Sequence, residues 1–174
     1  MANNIFLYGF MGAGKSTFGK KLARKLGWIF IDSDKEIEKQ TQKTIAEIFE
    51  ENGENYFRQL ETEWLNNFSG KSTVVALGGG TPCFNNNQLI IKEMGVSIYL
   101  EMSSKILTNR LMNAKNTRPL ISAFKANERE LNSFIQEKLE ERKPCYSNAD
   151  ITFSAASINA ERMEELIVEI KRLF

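Results

Sequence analysis

Residues 5–17 read Ile5-Phe6-Leu7-Tyr8-Gly9-Phe10-Met11-Gly12-Ala13-Gly14-Lys15-Ser16-Thr17, an apolar run leading straight into a glycine-rich turn. From Gly9 on, the stretch satisfies G-x-x-x-x-G-K-[ST]. The apolar run predicts a strand, and the pattern over Lys15–Leu26 predicts an amphipathic helix. A loop between such elements turns its backbone N–H groups toward one point, and the helix N-terminus adds positive potential there. Gly12, Ala13, Gly14, Lys15, Ser16 and Thr17 are therefore the candidate cradle for the phosphates of a nucleoside triphosphate. Lys15 would reach the β- and γ-phosphates, and the Ser16 hydroxyl would sit on Mg²⁺. A chance glycine-rich turn is the competing reading, and the strand before it and helix after it argue against that.

Apolar runs and helical patterns alternate outward from this point. Further strands are predicted at Trp28–Ile31, Thr73–Leu77, Ser97–Leu100 and Asp150–Phe153. Helices are predicted at Asp34–Gln40, Thr44–Glu51, Gly53–Phe68, Asn86–Lys92, Ser103–Arg110, Asn127–Glu141 and Ala160–Phe174. Strands alternating with helices imply an α/β fold, a five-stranded parallel sheet covered on both faces in three layers. Val74-Val75-Ala76-Leu77 is apolar throughout, as a strand buried on both faces would be. In such sheets ligands bind beyond the carboxyl ends of the strands.

The 174 residues suit a single domain over 1–174. Two stretches read as additions to it, a mostly helical one at 33–61 and a polar, Pro119-containing one at 111–125. The second is a candidate mobile lid, with an ordinary surface loop as the alternative. The net charge of +1 gives no electrostatic case for nucleic acid or an anionic membrane. No stretch approaches the ~18 apolar residues of a membrane span. The start, Met1-Ala2-Asn3-Asn4-Ile5, carries no export signal, so a cytoplasmic location is expected. Cys83 and Cys145 lie far apart without metal-ligand spacing and are expected to be reduced thiols that fill space. The chain contains no histidine, so a proton acceptor must be a carboxylate, Lys, Tyr or Cys.

The residues after the strands carry the remaining chemistry. Asp32 and Asp34 stand two apart after the second strand. One could hold Mg²⁺ through water and the other accept a bond from a substrate hydroxyl, while Asp34 as a helix cap is the plainer alternative. Gly78-Gly79-Gly80 follows the third strand. Three bare glycines allow closer approach to backbone N–H groups than a tight turn needs. Arg58 and Glu61 share a helical face, as a site pair or as a surface ion pair of little worth. Arg142 precedes Pro144 at an expected helix end, where it could be a dipole partner. Arg58 and Arg142 beside the glycine turn could instead clamp a small anion bidentately.

Taken together, Gly9–Thr17, Phe30-Ile31-Asp32-Ser33-Asp34, Phe57-Arg58-Gln59-Leu60-Glu61, Gly78–Gly80, Arg118-Pro119-Leu120 and Arg142-Lys143-Pro144-Cys145-Tyr146 resemble the shikimate kinase family over almost the full chain. The resemblance implies a P-loop NTPase fold of the nucleoside-monophosphate-kinase type. It implies transfer of a phosphoryl group from ATP, with one Mg²⁺ per subunit, to the 3-hydroxyl of shikimate on the route to chorismate and the aromatic amino acids. It assigns Ser16 to Mg²⁺, with Asp32 nearby through water, and Lys15 to the phosphates. Asp34 would bind the shikimate hydroxyls and accept the proton, making Lys15, Asp34 and Arg118 the catalytic set. Arg58, Gly79 and Arg142 would bind substrate, the two arginines at its carboxylate. Met11, Phe49, Phe57, Glu61, Gly78 and Gly80 would support the pocket, and Arg118 would come in with the lid. A monomer is expected.

The family pattern also has an arginine a few residues before the lid Arg-Pro. Leu111–Asn116 has none; Asn113 aligns there, and Arg110 could substitute. Near the adenine side, Ser154–Asn159 offers only Asn159. Both departures predict loose nucleotide binding, to be checked by purine-selectivity assay; tight, strictly adenine-specific binding would contradict it. The rival readings are a gluconate kinase, which the carboxylate clamp disfavours, and a nucleotide-binding module without turnover. The second should have lost Lys15, Asp34 or an arginine, and has not.

Overall fold

A computed structural model describes residues 3–114, 119–124, 127–156 and 158–174. Five strands, β1 (Asn4–Tyr8), β2 (Ile29–Asp32), β3 (Thr73–Ala76), β4 (Val96–Glu101) and β5 (Ile151–Ser154), form one sheet in the order β2-β3-β1-β4-β5. Every pairing is parallel, with Ile5 opposite Val74 and Val96. Alternation along β1 sends Ile5 and Leu7 to one face, and Phe6 and Tyr8 to the other.

The first face is covered by α1 (Lys15–Leu26), α5 (Ser104–Met112) and α7 (Ala160–Leu173), through Phe18, Leu22, Leu107 and Ile167. The second face is covered by α2 (Ser33–Thr41), α3 (Ile45–Asn66) and α4 (Asn87–Met94), through Ile37, Trp64, Leu65 and Ile91. Helix α6 (Glu128–Tyr146) contributes Leu131 and Ile135 to the first cluster and Tyr146 to the second. This is the three-layer α/β/α arrangement expected, with all five strands.

Helix α1 begins where predicted. Gly14, at φ 92°, precedes it, a left-handed conformation that glycine adopts without penalty. The two helices expected at 44–51 and 53–68 form one element broken at Gly53 (φ 79°, ψ 176°). Thr44 and Glu47 exchange hydrogen bonds as a capping box at its start.

Two expectations need correction. Strand β2 starts at Ile29 rather than Trp28, because the Trp28 N–H donates to Ala23 O at 2.9 Å and closes the end of α1. Asp32 is the last strand residue and the N-cap of α2, with Asp34 in the first turn, so the plainer alternative for Asp34, a helix cap, does not hold. Helix α6 runs through Pro144 to Tyr146 instead of stopping at Glu141. Proline removes one N–H, and the Ser147 N–H bonded to Lys143 O at 2.9 Å still closes the last turn. Arg142 and Tyr146 are thus one turn apart on a continuous helix. In addition, a 3₁₀ turn, Thr81–Cys83, follows the three glycines, and a 3₁₀ segment spans Pro119–Phe124. Of the lid stretch, residues 115–118 and 125 fall outside the described residues.

Candidate active site

The carboxyl ends of β1, β2 and β3 open onto a cavity of about 630 Å³. Met11 and Ser16 of the glycine-rich loop line it, with Asp32 and Asp34 from the β2–α2 junction. Phe49, Phe57, Arg58 and Glu61 of α3 form another wall. Gly78, Gly79 and Gly80 form the floor, and Arg142 of α6 closes the far side. The loop that would hold phosphates and the residues that would hold an acceptor therefore share one space.

The phosphate loop is held by its own backbone. The Ala13 N–H donates to Phe10 O at 3.1 Å, and the Phe18 N–H to Gly14 O at 2.9 Å. Lys15 Nζ donates to Gly9 O at 2.8 Å and Phe10 O at 3.3 Å. Those contacts lay its ammonium back across the loop. Gly12 packs against Leu111, 3.2 Å from where a Cβ would stand, and its carbonyl accepts from Arg110 at 3.1 Å. Arg110 therefore sits at the edge of the loop. Asn113 Nδ2 instead bonds Asn109 O of its own helix at 2.8 Å. The Asn159 side chain accepts from the Arg162 N–H at 2.9 Å and caps α7. Arg118 lies outside the described residues.

Ser16 Oγ donates to Asp32 Oδ2 at 2.6 Å. Two hard oxygens beside a phosphate cradle suit Mg²⁺, which keeps most of its waters and takes its other ligands from phosphate. No group of three or more His, Cys, Asp or Glu side chains is placed to hold a metal among the described residues.

Arg58 is buried, and it is the most constrained charge in the site. Its Nη1 donates to Glu61 Oε2 at 2.7 Å, and its Nη2 and Nε donate to Glu54 Oε1 at 2.7 and 3.2 Å. Its guanidinium stands over the Phe84 ring, 4.7 Å from the centroid. Burial works against the charge, but Glu61 and Glu54 outweigh it and hold the group above the usual arginine range. Three of its five N–H donors are committed to protein carboxylates, leaving the rest for a ligand. Glu61 is only 1 % exposed and also accepts from the Thr81 hydroxyl at 2.5 Å.

The three glycines are explained by what presses on them. A Cβ at Gly78 would lie 2.3 Å from Glu61 Oε1 and 3.0 Å from Asp34 Oδ1. At Gly79 it would lie 2.9 Å from Gly9 O and 3.3 Å from Arg142 Nη1. At Gly80 it would lie 2.5 Å from Arg58 Cζ. Glu61, Asp34, Arg142 and Arg58 thus each press on a backbone position that a side chain would crowd. The turn is pinned at Gly78, whose N–H donates to Ser33 Oγ at 3.2 Å, and at Gly79, whose carbonyl accepts from Tyr146 Oη at 2.6 Å. Burial raises the Tyr146 phenol well above its ordinary range, so it stays a donor at working pH. Arg142, 9 % exposed, lies over the Phe10 ring, 5.4 Å from its centroid, and donates to Tyr146 Oη at 3.5 Å.

Glu54, Thr81 and Tyr146 were not singled out from the sequence. Glu54 and Thr81 hold the Arg58–Glu61 pair, and Tyr146 joins Arg142 to the glycine floor. Tyr146 lay within the quoted Arg142–Tyr146 stretch, four residues from Arg142, and that spacing is the signal that could have found it. Glu38 is a further addition, lining the cavity and accepting from the Ile45 N–H at 3.0 Å.

A phosphate loop at the end of β1, opening onto a pocket with two buried arginines, defines a P-loop kinase acting on a small acceptor. The comparisons with known proteins narrow this. The shikimate kinase family model matches residues 11–171. A shikimate kinase from Parabacteroides distasonis is 40% identical over 158 residues, 90% of each chain. The crystal structure of shikimate kinase from Bacteroides thetaiotaomicron matches with a TM-score of 0.88 at 37% identity, covering 99% of this chain and 98% of that one. Shikimate kinase from Acinetobacter baumannii, solved in complex with shikimate, matches with a TM-score of 0.87 at 35% identity, covering 99% and 94%. The chain belongs to the shikimate kinase family and is an ATP-dependent kinase.

Proposed function

We propose that this chain transfers the γ-phosphoryl group of ATP to the 3-hydroxyl of shikimate, giving shikimate 3-phosphate and ADP. The observation that carries this reading is the placement of buried Arg58 and Arg142 over Gly78–Gly80, in the cavity that Ser16 and Asp34 also line. Two buried guanidinium groups suit a carboxylate, and Met11 and Ser16 of the phosphate loop line the same cavity. The Acinetobacter baumannii relative, solved with shikimate, supports the same substrate.

The roles divide accordingly. Arg58 and Arg142 hold the carboxylate and fix the ring's orientation. Phe49 and Phe57, with ring centroids 5.0 Å apart, supply the apolar side together with Met11. Gly79 brings its backbone N–H to the substrate. Asp34 orients the attacking hydroxyl and takes its proton. Gly12 to Thr17 bind the phosphates. Lys15 leaves the loop carbonyls for the β/γ-phosphates when nucleotide enters. Ser16, with Asp32 through water, would hold Mg²⁺, which neutralises charge on the β- and γ-phosphates when bound. Arg110 takes the adenine side. Arg118 is assigned to the moving phosphoryl group on the family resemblance, with 111–125 as the lid and 33–61 as the acceptor-binding addition. Phosphoryl transfer of this kind asks for positioning and charge neutralisation more than covalent chemistry. The absence of histidine is therefore no handicap.

A monomer in the cytoplasm is part of the same proposal. No described helix is long and apolar enough to cross a membrane.

The test is ADP release with Mg-ATP and, separately, shikimate, gluconate and nucleoside monophosphates. Turnover with shikimate alone is expected. Turnover with gluconate and not shikimate would overturn the carboxylate-clamp reading, and ATP binding without any turnover would mean a binding module. A finer prediction concerns Asp34. Asp34→Asn is expected to lower kcat at saturating shikimate by about 10²-fold, the lower range for a positioned base. Near-normal kcat with a raised KM would reduce Asp34 to a binding role.

A further inference from the structure

Phe84 is a large apolar side chain left 38% exposed, and the buried Arg58 guanidinium stands over its ring, 4.7 Å from the centroid. Phe57, beside Arg58 on α3, is farther, at 5.6 Å. Burial of apolar area explains little of where Phe84 sits, since the residue stays more than a third in water. Its backbone explains more. The Cys83 N–H donates to Gly80 O at 2.8 Å and closes the Thr81–Cys83 turn, and Phe84 leaves that turn extended (φ −120°, ψ 153°). Asn85 and Asn86 follow at φ 51° and 57°, a left-handed conformation that asparagine tolerates better than most side chains. Asn85 Nδ2 donates to Thr62 Oγ1 at 3.0 Å and to Arg58 O at 3.4 Å. Asn87 is fully buried; its Nδ2 donates to Thr81 O at 2.9 Å and its N–H to Phe84 O at 3.0 Å. The segment that carries the ring is thereby tied both to the part of α3 that carries the cation and to the turn that follows the glycine floor.

What this does for Arg58 follows from the shape of a guanidinium. Its N–H donors point outward in the plane of the group. The bonds to Glu61 and Glu54 therefore fix Arg58 within that plane and resist displacement out of it only weakly. Glu54 is also a soft anchor, its side chain 44% exposed. Movement out of the plane is opposed by what lies over the flat of the group. A Cβ at Gly80 would stand 2.5 Å from Arg58 Cζ and 2.5 and 2.6 Å from its two Nη atoms, and such near-equal distances place Gly80 over the flat. Phe84 supplies an aromatic face. The negative face of such a ring attracts a cation, more strongly where water is kept away.

We propose that Phe84 is a positioning residue for the acceptor site: its ring holds the Arg58 guanidinium in place and dry, so that the remaining N–H donors meet an anionic acceptor without reordering. The proposal rests on the reading of Arg58 as half of a carboxylate clamp. Phe84 is outside the set of residues that line the acceptor cavity, so its action passes through Arg58. A loose guanidinium on a long stem would lose its freedom and its water on binding, and the ring imposes both losses beforehand, during folding. The gain appears in affinity for the acceptor and not in the transfer step, because Lys15, Ser16 and Asp34 are untouched.

The experiment takes the full chain with Phe84→Leu, Phe84→Ala, Phe84→Tyr and Phe84→Trp, and with ring-fluorinated phenylalanines in place of Phe84. Steady-state kinetics are run with shikimate and ATP, and the Arg58 Nε–H NMR signal is followed in the ligand-free protein. Phe84→Leu keeps apolar bulk and removes the aromatic face. Phe84→Leu and Phe84→Ala are expected to raise KM for shikimate roughly tenfold, the scale of ordering one long side chain on binding. kcat and KM for ATP should hold, as they do when an interaction made equally in ground and transition states is lost. Tyrosine and tryptophan keep a ring face and stay near the parent, and KM climbs stepwise as fluorination drains the ring's negative face. In Phe84→Leu the Arg58 signal loses its ring-current shift and exchanges faster with water. A Phe84→Leu enzyme with the parent KM would overturn the proposal. So would an equal loss in kcat and in ATP affinity, insensitivity to fluorination, or an Arg58 signal that the substitution leaves unchanged. A parent enzyme inactive on shikimate would overturn the proposed function and the effect assigned to the acceptor, and the Arg58 signal would still decide whether the ring positions the guanidinium.

Discussion

Lys15→Met is expected to lower kcat by about 10³-fold, the upper range for removing one preorganised charge from a transition state. The melting temperature should stay close to that of the parent. Lys15 is only partly buried, and its ammonium donates to the carbonyls of Gly9 and Phe10. Each such bond is worth about 1 kcal/mol net. The loop keeps its shape by other means, through the Ala13–Phe10 and Phe18–Gly14 backbone bonds and the left-handed Gly14. Loss of the ammonium therefore reaches the chemistry more than the fold. Lys15→Arg is expected to rescue poorly, because a planar fork cannot replace a compact point charge in a closely fitted loop. Stopped-time ADP release at saturating ATP and shikimate, with a thermal melt alongside, checks both halves. A kcat within tenfold of the parent would remove Lys15 from the catalytic set.

The sheet was legible because its signal is local. Apolar runs such as Ile5–Tyr8 and Val74–Leu77 are buried on both faces and need no partner to be recognised. The glycine-rich loop was legible because few sequences meet its spacing between a strand and a helix. Asp34, Arg58, Glu61, the three glycines and Arg142 were legible as chemistry, and the fold places them around one cavity. What escaped depends on contacts between distant segments. Pro144 reads as a helix breaker by local rules, yet Tyr146 is anchored beyond it on Gly79 and the last turn of α6 persists. Thr81 gives no local hint that it holds Glu61, because the two meet only once β3 has set the turn beside α3. β2 shifted by one residue because Trp28 had a backbone bond to make at the end of α1, a competition that hydropathy does not register.

The Arg58–Glu61 pair separates architecture from binding. Arg58→Met is expected to destabilise the fold by about 3–5 kcal/mol, the usual penalty for leaving one member of a buried pair alone. Glu61, 1 % exposed, would keep the Thr81 hydroxyl but lose the guanidinium that balances its charge. Loss of activity in that variant would be ambiguous, because a partly unfolded enzyme is inactive for any reason. The triple variant Arg58→Met/Glu61→Leu/Thr81→Val resolves this. Replacing a whole buried polar group by apolar residues of similar volume is often neutral for stability. The melting temperature is therefore expected to return most of the way to the parent value. Acceptor kcat/KM is expected to stay down by about 10²- to 10³-fold, the scale of losing one arm of a desolvated charge pair. The partners of Arg58 hold it above the normal arginine range, so its charge does not titrate at any working pH. A pH-dependent acceptor KM between pH 6 and 9 would then have to come from another group. If the triple variant regains both stability and efficiency with shikimate, Arg58 is a scaffold for Gly80 and α3 alone, and the anion clamp rests on Arg142.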